Sequence, residues 1–149
     1  MKKITTLLFI SIALITGLQA QMRNLPGAVT DSFKAKYPNA KTVSWKDNLT
    51  NFEAGFKNGT DTVEMTAQFN NKGEWLQTTK KMSFAQLNND VQDGFHKSKY
   101  TGWEIKDVKQ VDEAGKETVY KIFVRKNTFE KKYLYFTKQG QLKKEAQTL

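Results

Sequence analysis

The polar and apolar positions of this chain fall into two rhythms, and the pair of rhythms occurs twice. Leu25, Val29 and Phe33 recur every fourth residue, and so do Leu87, Val91 and Phe95. Apolar residues at i, i+4 and i+8 line one side of a 3.6-residue spiral, so each triplet predicts a helix with a buried stripe. After each triplet the period falls to two. Val43 and Trp45, then Phe52, Ala54 and Phe56, then Val63, Met65, Ala67 and Phe69 alternate with polar residues. The second passage repeats this with Trp103 and Ile105, then Tyr120, Ile122 and Val124, then Leu134 and Phe136. Alternation of this kind predicts antiparallel strands with one buried face.

The punctuation agrees with the rhythms. Asn24 is a candidate cap and Pro26 suits the first turn of the first helix, which should end at Tyr37-Pro38, because a residue before proline is pushed out of the helical region. Ser83 and Gln86 have capping-box spacing ahead of the second helix. Asn58-Gly59 predicts a two-residue hairpin, since type I′ turns need positive φ at both central residues.

Laying residue 25 on residue 87 superposes the helices at an offset of 62, with Tyr37 and Tyr100 one residue out of step. Phe69 to Gly73 superposes on Phe136 to Gly140 at an offset of 67, each followed two residues later by an apolar side chain, Trp75 or Leu142. A duplication with a few inserted residues accounts for both offsets. The expected fold class is α+β: two tandem helix-on-antiparallel-sheet repeats, residues 24–82 and 83–146, together forming one domain.

The first twenty residues follow neither rhythm. Lys2 and Lys3 precede a mainly apolar run from Ile4 to Leu18 and a small residue, Ala20. Residues 1–20 read as a secretory signal peptide cleaved near Ala20, although Leu18 is bulkier than the alanine usual at that position. The run is too short, and too interrupted by Thr5, Thr6, Ser11 and Thr16, to span a bilayer. The expectation is a periplasmic or secreted protein without stable membrane insertion. The chain has no cysteine, so no disulfide staples it in an oxidising compartment and no lipid anchor is available.

Composition narrows the function. Beyond the signal, 22 basic residues stand against 15 acidic ones, a charge of +7 divided +3 and +4 between residues 21–81 and 82–149. A nucleic-acid binder concentrates such charge on one element, and export removes most nucleic acid from reach, so no nucleic-acid partner is expected. His96 is the single histidine; Asp90, Asp93 and His96 step by three and drift around their helix, so no metal site is expected. Ser32, Ser44, Ser83 and Ser98 lie in no nucleophile elbow, and Gly55 and Gly59 form no phosphate loop, so neither catalytic residues nor a cofactor are expected. Asn48-Leu-Thr50 and Asn58-Gly-Thr60 match the N-glycosylation acceptor, and Asp61-Thr62-Val63 matches a short O-glycosylation pattern.

Leu25-Pro26 with Val29 and Phe33, Tyr37-Pro38-Asn39-Ala40, Val43-Ser44-Trp45, Phe69 to Gly73 and Trp75-Leu76 resemble the PepSY-like domains of secreted Bacteroidetes proteins, whose fold is similar to that of β-lactamase-inhibitor proteins. The second repeat departs from the pattern, with Asn88 in place of Pro26 and Thr101-Gly102 in place of Pro38-Asn39. The resemblance implies a non-enzymatic periplasmic module that binds or inhibits.

Strand alternation then points to a surface. With Tyr120, Ile122, Val124, Leu134 and Phe136 turned inward, Val119, Lys121, Phe123, Arg125, Tyr133 and Tyr135 turn outward. The first repeat offers only Glu53, Gly55, Lys57, Glu64, Thr66 and Gln68 there. Exposed aromatics with basic residues are what interface hot spots are made of, so Lys121, Phe123, Arg125, Tyr133 and Tyr135 are the candidate binding residues. The expected partner is an envelope protein or peptide, with enzyme inhibition as one form of that binding; the alternative is a salt-sensitive binder of anionic envelope glycans or small ligands.

Overall fold

The computed structural model describes residues 24–60 and 63–148. The proposed signal peptide and Asp61-Thr62 of the O-glycosylation pattern lie outside the described residues. The order of elements is helix α1 (Gly27–Lys36), strands β1 (Ala40–Asp47), β2 (Asn51–Asn58), β3 (Glu64–Asn70) and β4 (Trp75–Met82), a 3₁₀ turn (Phe84–Gln86), helix α2 (Asn89–His96), then β5 (Glu104–Glu113), β6 (Val119–Arg125), β7 (Lys131–Thr137) and β8 (Leu142–Gln147). All eight strands join in one sheet in sequence order, and each pair is antiparallel.

Cross-strand partners share a face, so the register fixes the layers. Ala54 faces Ala67, Ala67 faces Thr78, Thr78 faces Asp112, Met82 faces Val108, and Val108 faces Ile122. Both helices therefore cover the same side of the sheet. Val29 and Phe33 of α1 pack with Tyr37, Phe52, Phe56 and Phe69; Val91 and Phe95 of α2 pack with Tyr100, Ile122, Leu134 and Phe136. Each fully buried Phe or Leu contributes about 1.5–3 kcal/mol by leaving water, which makes these two clusters the main source of stability.

Equivalent contacts hold each helix to its strands. A Cβ on Gly73 would meet the Ala28 carbonyl oxygen at 2.4 Å, and one on Gly140 would meet that of Asp90 at 2.0 Å. Ser32 lies beside the first turn and Gly94 against the second. Both turn glycines have positive φ, 83° and 76°. The Tyr37 hydroxyl is hydrogen-bonded to that of Thr78, and the Tyr100 hydroxyl donates to Glu145.

Several local expectations are corrected. Asn24 does not cap α1; Pro26 occupies the N-cap position, as Asn88 does for α2, where its side chain accepts the Val91 N–H at 2.9 Å. The Ser83–Gln86 box closes the separate 3₁₀ turn, with the Ser83 N–H donating to Gln86 at 2.7 Å. The two-residue turn at Asn58-Gly59 does not form. Gly59 has φ 61°, Asn58 stays in β2, and the Gly59 N–H donates to the Asn39 carbonyl at 3.0 Å, which ties the corner to the start of β1. Val43 shares the helix side with Trp45, lining a depression there with Phe33 and Tyr37, but it is not buried. The register slips between Lys41 and Ser44, Thr42 adopts φ 54°, and beside this bulge Val43 remains 41% exposed.

Candidate functional site

The sheet has one helix-covered face and one face that neither helix covers, and the candidate residues stand on the second. Lys121 on β6 lies directly opposite Tyr135 on β7, and Phe123 directly opposite Tyr133. The Phe123 and Tyr133 rings are 4.8 Å apart at 34°, and the Lys121 ammonium sits 3.9 Å from the Tyr133 ring centre and 5.6 Å from that of Tyr135. Lys144 reaches Tyr135 from the far side at 5.5 Å. A cation over an aromatic face is attracted by the ring quadrupole, so lysines and rings hold one another in place. None of the side chains of Lys121, Phe123, Tyr133 and Tyr135 stands free in solvent; each is half-buried against its neighbours.

Arg125 belongs to the same strand but is already engaged. Its Nε and one terminal nitrogen donate to a single oxygen of Glu104 at 3.1 and 2.7 Å. Lys106 donates to the other oxygen at 2.8 Å, and these bonds, Lys106 first and Arg125 second, hold the Glu104 carboxyl below its ordinary pKa. The cluster thus consists of Lys121, Phe123, Tyr133 and Tyr135, with Arg125 at its end as half of an ion pair.

The first half of the open face is polar. Gln68 donates to Glu53 at 2.7 Å, and Lys57 pairs with Glu64 in the β2–β3 register. Between the halves lies a depression of about 350 Å³ lined by Glu64, Thr66, Thr79, Lys81, Asp107 and Lys109. Val111 and Val119 pair beside it, and Val111 is buried on this otherwise polar side.

One feature escaped sequence reasoning. Phe129, in the turn between β6 and β7, is 90% exposed, the most exposed large apolar side chain among the described residues. The Asn127 side chain accepts the Phe129 N–H at 2.9 Å and the Glu130 N–H at 2.8 Å, which fixes the turn that presents the ring. Asparagine two residues before a bulky aromatic, between two strands, was the available signal.

His96 packs edge-on against Phe84 at 5.5 Å, at the end of α2 and away from the open face. Among the described residues no group of three or more His, Asp or Glu side chains converges as metal ligands would, and no helix is long and apolar enough to cross a membrane.

The sequence pattern of the β-lactamase-inhibitor-like, PepSY-like family matches this chain over residues 17–66 and again over 50–144. Among solved structures, a DUF2874 family protein of Bacteroides ovatus is 30% identical, with a TM-score of 0.76 over 82% of this chain and 86% of its own. A BLIP-like protein of Bacteroides fragilis is 25% identical, with a TM-score of 0.81 over 87% of this chain and 90% of its own. A candidate periplasmic protein of Bacteroides eggerthii, 20% identical, shares the fold with a TM-score of 0.74 over 82% and 88% of the two chains. No protein of curated function matches the sequence.

Proposed function

The chain belongs to the β-lactamase-inhibitor-like, PepSY-like family, and from that membership we propose that it is an exported, non-catalytic binding module that takes an envelope protein or peptide on the open face of its sheet. The observation that carries this reading is the cluster of Lys121, Phe123, Tyr133 and Tyr135 on a face that neither helix covers. Half-buried aromatics beside cations are the composition of interface hot spots, and they cost little to order on binding because they are already packed together. Phe129 adds an exposed ring in the turn of the same hairpin. Inhibition of an enzyme is one form this binding takes.

The module is built of two tandem units, residues 24–82 and 83–146. The equivalent contacts of Gly73 and Gly140 and of Tyr37 and Tyr100 support this organisation. Export rests on the signal-like residues 1–20 and places the mature chain in the periplasm or outside the cell.

Affinity capture with tagged residues 21–149 against envelope extract, at low and moderate salt, tests the proposal. One protein retained at stoichiometric level in moderate salt, and lost when Phe123, Tyr133 and Tyr135 are all changed to Ala in a chain with unaltered circular dichroism, is the expected outcome. Retention by that variant would move the contact surface elsewhere. Capture of acidic species alone, all released by salt, would favour an anionic glycan or small-ligand role.

A further inference from the structure

Four lysines stand in one line across the open face. Lys81 on β4 is directly opposite Lys109 on β5, and Lys109 is directly opposite Lys121 on β6. Tyr135 on β7 pairs with Lys121, and Lys144 on β8 pairs with Tyr135, so the line continues to the edge of the sheet. Neighbouring strands lie about 4.8 Å apart. Three consecutive lysine stems therefore rise side by side at that spacing, with the fourth two strands further on. Like charges directly opposite each other weaken a sheet, and nothing in the helix-covered cores requires these residues.

The protein relieves the repulsion at one end only. Glu64 lies 3.7 Å from Lys81 and Asp107 lies 3.1 Å from Lys109. Lys121 and Lys144 have no carboxylate partner among the described residues; their ammonium groups rest on the Tyr133 and Tyr135 rings. A ring attracts the cation from beneath and leaves its outer hydrogens free to donate to a carboxylate arriving from solvent. Unneutralised charge is thus concentrated where the aromatic cluster stands.

We infer that the unneutralised end of this line recognises an acidic segment of a protein or peptide partner, whose carboxylates meet Lys121 and Lys144 while an apolar side chain covers Phe123 and Tyr133. The inference rests on the reading of the open face as the contact surface and adds the charge of the partner. A short segment fits better than a uniform polyanion. Glu53, Glu64, Glu104, Asp107 and Glu113 share the face and would repel a chain carrying negative charge along its whole length.

The test uses residues 21–149 and three probes: a synthetic Glu-rich peptide with one Phe, the same peptide with every Glu replaced by Gln, and polygalacturonate. Binding is followed by fluorescence, and the footprint by amide chemical shifts, at low ionic strength and at about 0.15 M, where screening acts over about 8 Å. The Glu peptide is expected to bind about tenfold more tightly than the Gln peptide, with shifts confined to β4–β8. Lys121→Gln and Lys144→Gln should each weaken the Glu peptide several-fold, with an unaltered circular dichroism spectrum showing that the fold survives. Lys97→Gln, at the end of α2, should change nothing. If the Gln peptide binds this face equally well, the acidic assignment fails while the contact surface stands. Tighter binding of polygalacturonate at the same residues would replace the peptide with a glycan and overturn the inference. If no probe shifts this face, both readings fail.

Discussion

The hydroxyl of Tyr100 donates to the carboxylate of Glu145, which Lys99 and Lys132 also approach, at 3.1 and 3.5 Å. The hydrogen bond from Tyr100, and then that from Lys99, hold the Glu145 carboxyl below its ordinary pKa. A carboxyl that is more acidic folded than unfolded contributes stability above its unfolded pKa, about 4.3, and loses it as pH falls through the folded value. Glu145→Gln should therefore be less stable than the parent in urea at neutral pH, with the gap narrowing as the pH falls below about 4.3 and through the folded value. An unchanged gap would remove the carboxylate as the cause.

The shift at Tyr37 runs opposite to that of Glu145. Burial, above all, pushes its phenol pKa up. The neutral form belongs to the folded state, so this contribution is present below about pH 10 and is lost as pH rises through the folded value. Spectroscopic titration of the tyrosinates should show a late phase that Tyr37→Phe removes.

The turn glycines divide into two kinds. Gly73→Ala and Gly140→Ala each drive a methyl group into a helix carbonyl as well as straining a positive φ. Gly115 has φ 70° but open space around it. Gly115→Ala should cost about 1–2 kcal/mol from backbone conformation alone, and the other two at least about 3 kcal/mol, since the helix itself must shift. Urea midpoints of the three variants supply the comparison.

Two phenylalanines on the same half should behave in opposite ways. Phe136 is fully buried beneath α2, and Phe136→Ala should cost about 3–5 kcal/mol. Phe129→Ala should leave stability within about 0.5 kcal/mol and lower affinity for whatever partner the open face takes. If Phe129→Ala destabilised the fold instead, the exposed ring would be a packing residue.

Much of this architecture is legible in local sequence because it is dictated locally. Val29 and Phe33 on α1, Val91 and Phe95 on α2 and the alternation around Ile122 and Leu134 each reflect one element and its buried side, while Leu25 and Leu87, the first members of the predicted helical stripes, stand just ahead of their helices and still pack on the two cores. Gly73 and Gly140 occupy the same place relative to their helices, as the matched segments imply. What escaped depends on distant partners. The slip between Lys41 and Ser44 is a property of the pairing between β1 and β2, and no residue near Thr42 announces it. Gly59 serves Asn39 rather than a tight turn because the start of β1 passes beside it. Arg125 lies on the predicted side, yet its pairing with Glu104 on β5 withdraws it from the cluster. The lysine line escaped for the same reason: Lys81, Lys109, Lys121 and Lys144 come from four strands and align only once every register between them is known.

The bulge at Thr42 also decides where the sheet stops. An open sheet ends in unpaired amide and carbonyl groups that can template aggregation. On β1 that rim is interrupted by the left-handed residue and flanked by Lys41 and Lys46. On the opposite rim β8 runs for only six residues, with Lys143 and Lys144 near its start. A second molecule adding a strand would have to straighten the one rim or crowd its own backbone against the cations of the other. Growth edge to edge is thereby discouraged at both boundaries, and the broad uncovered face is spared from being consumed in fibrils.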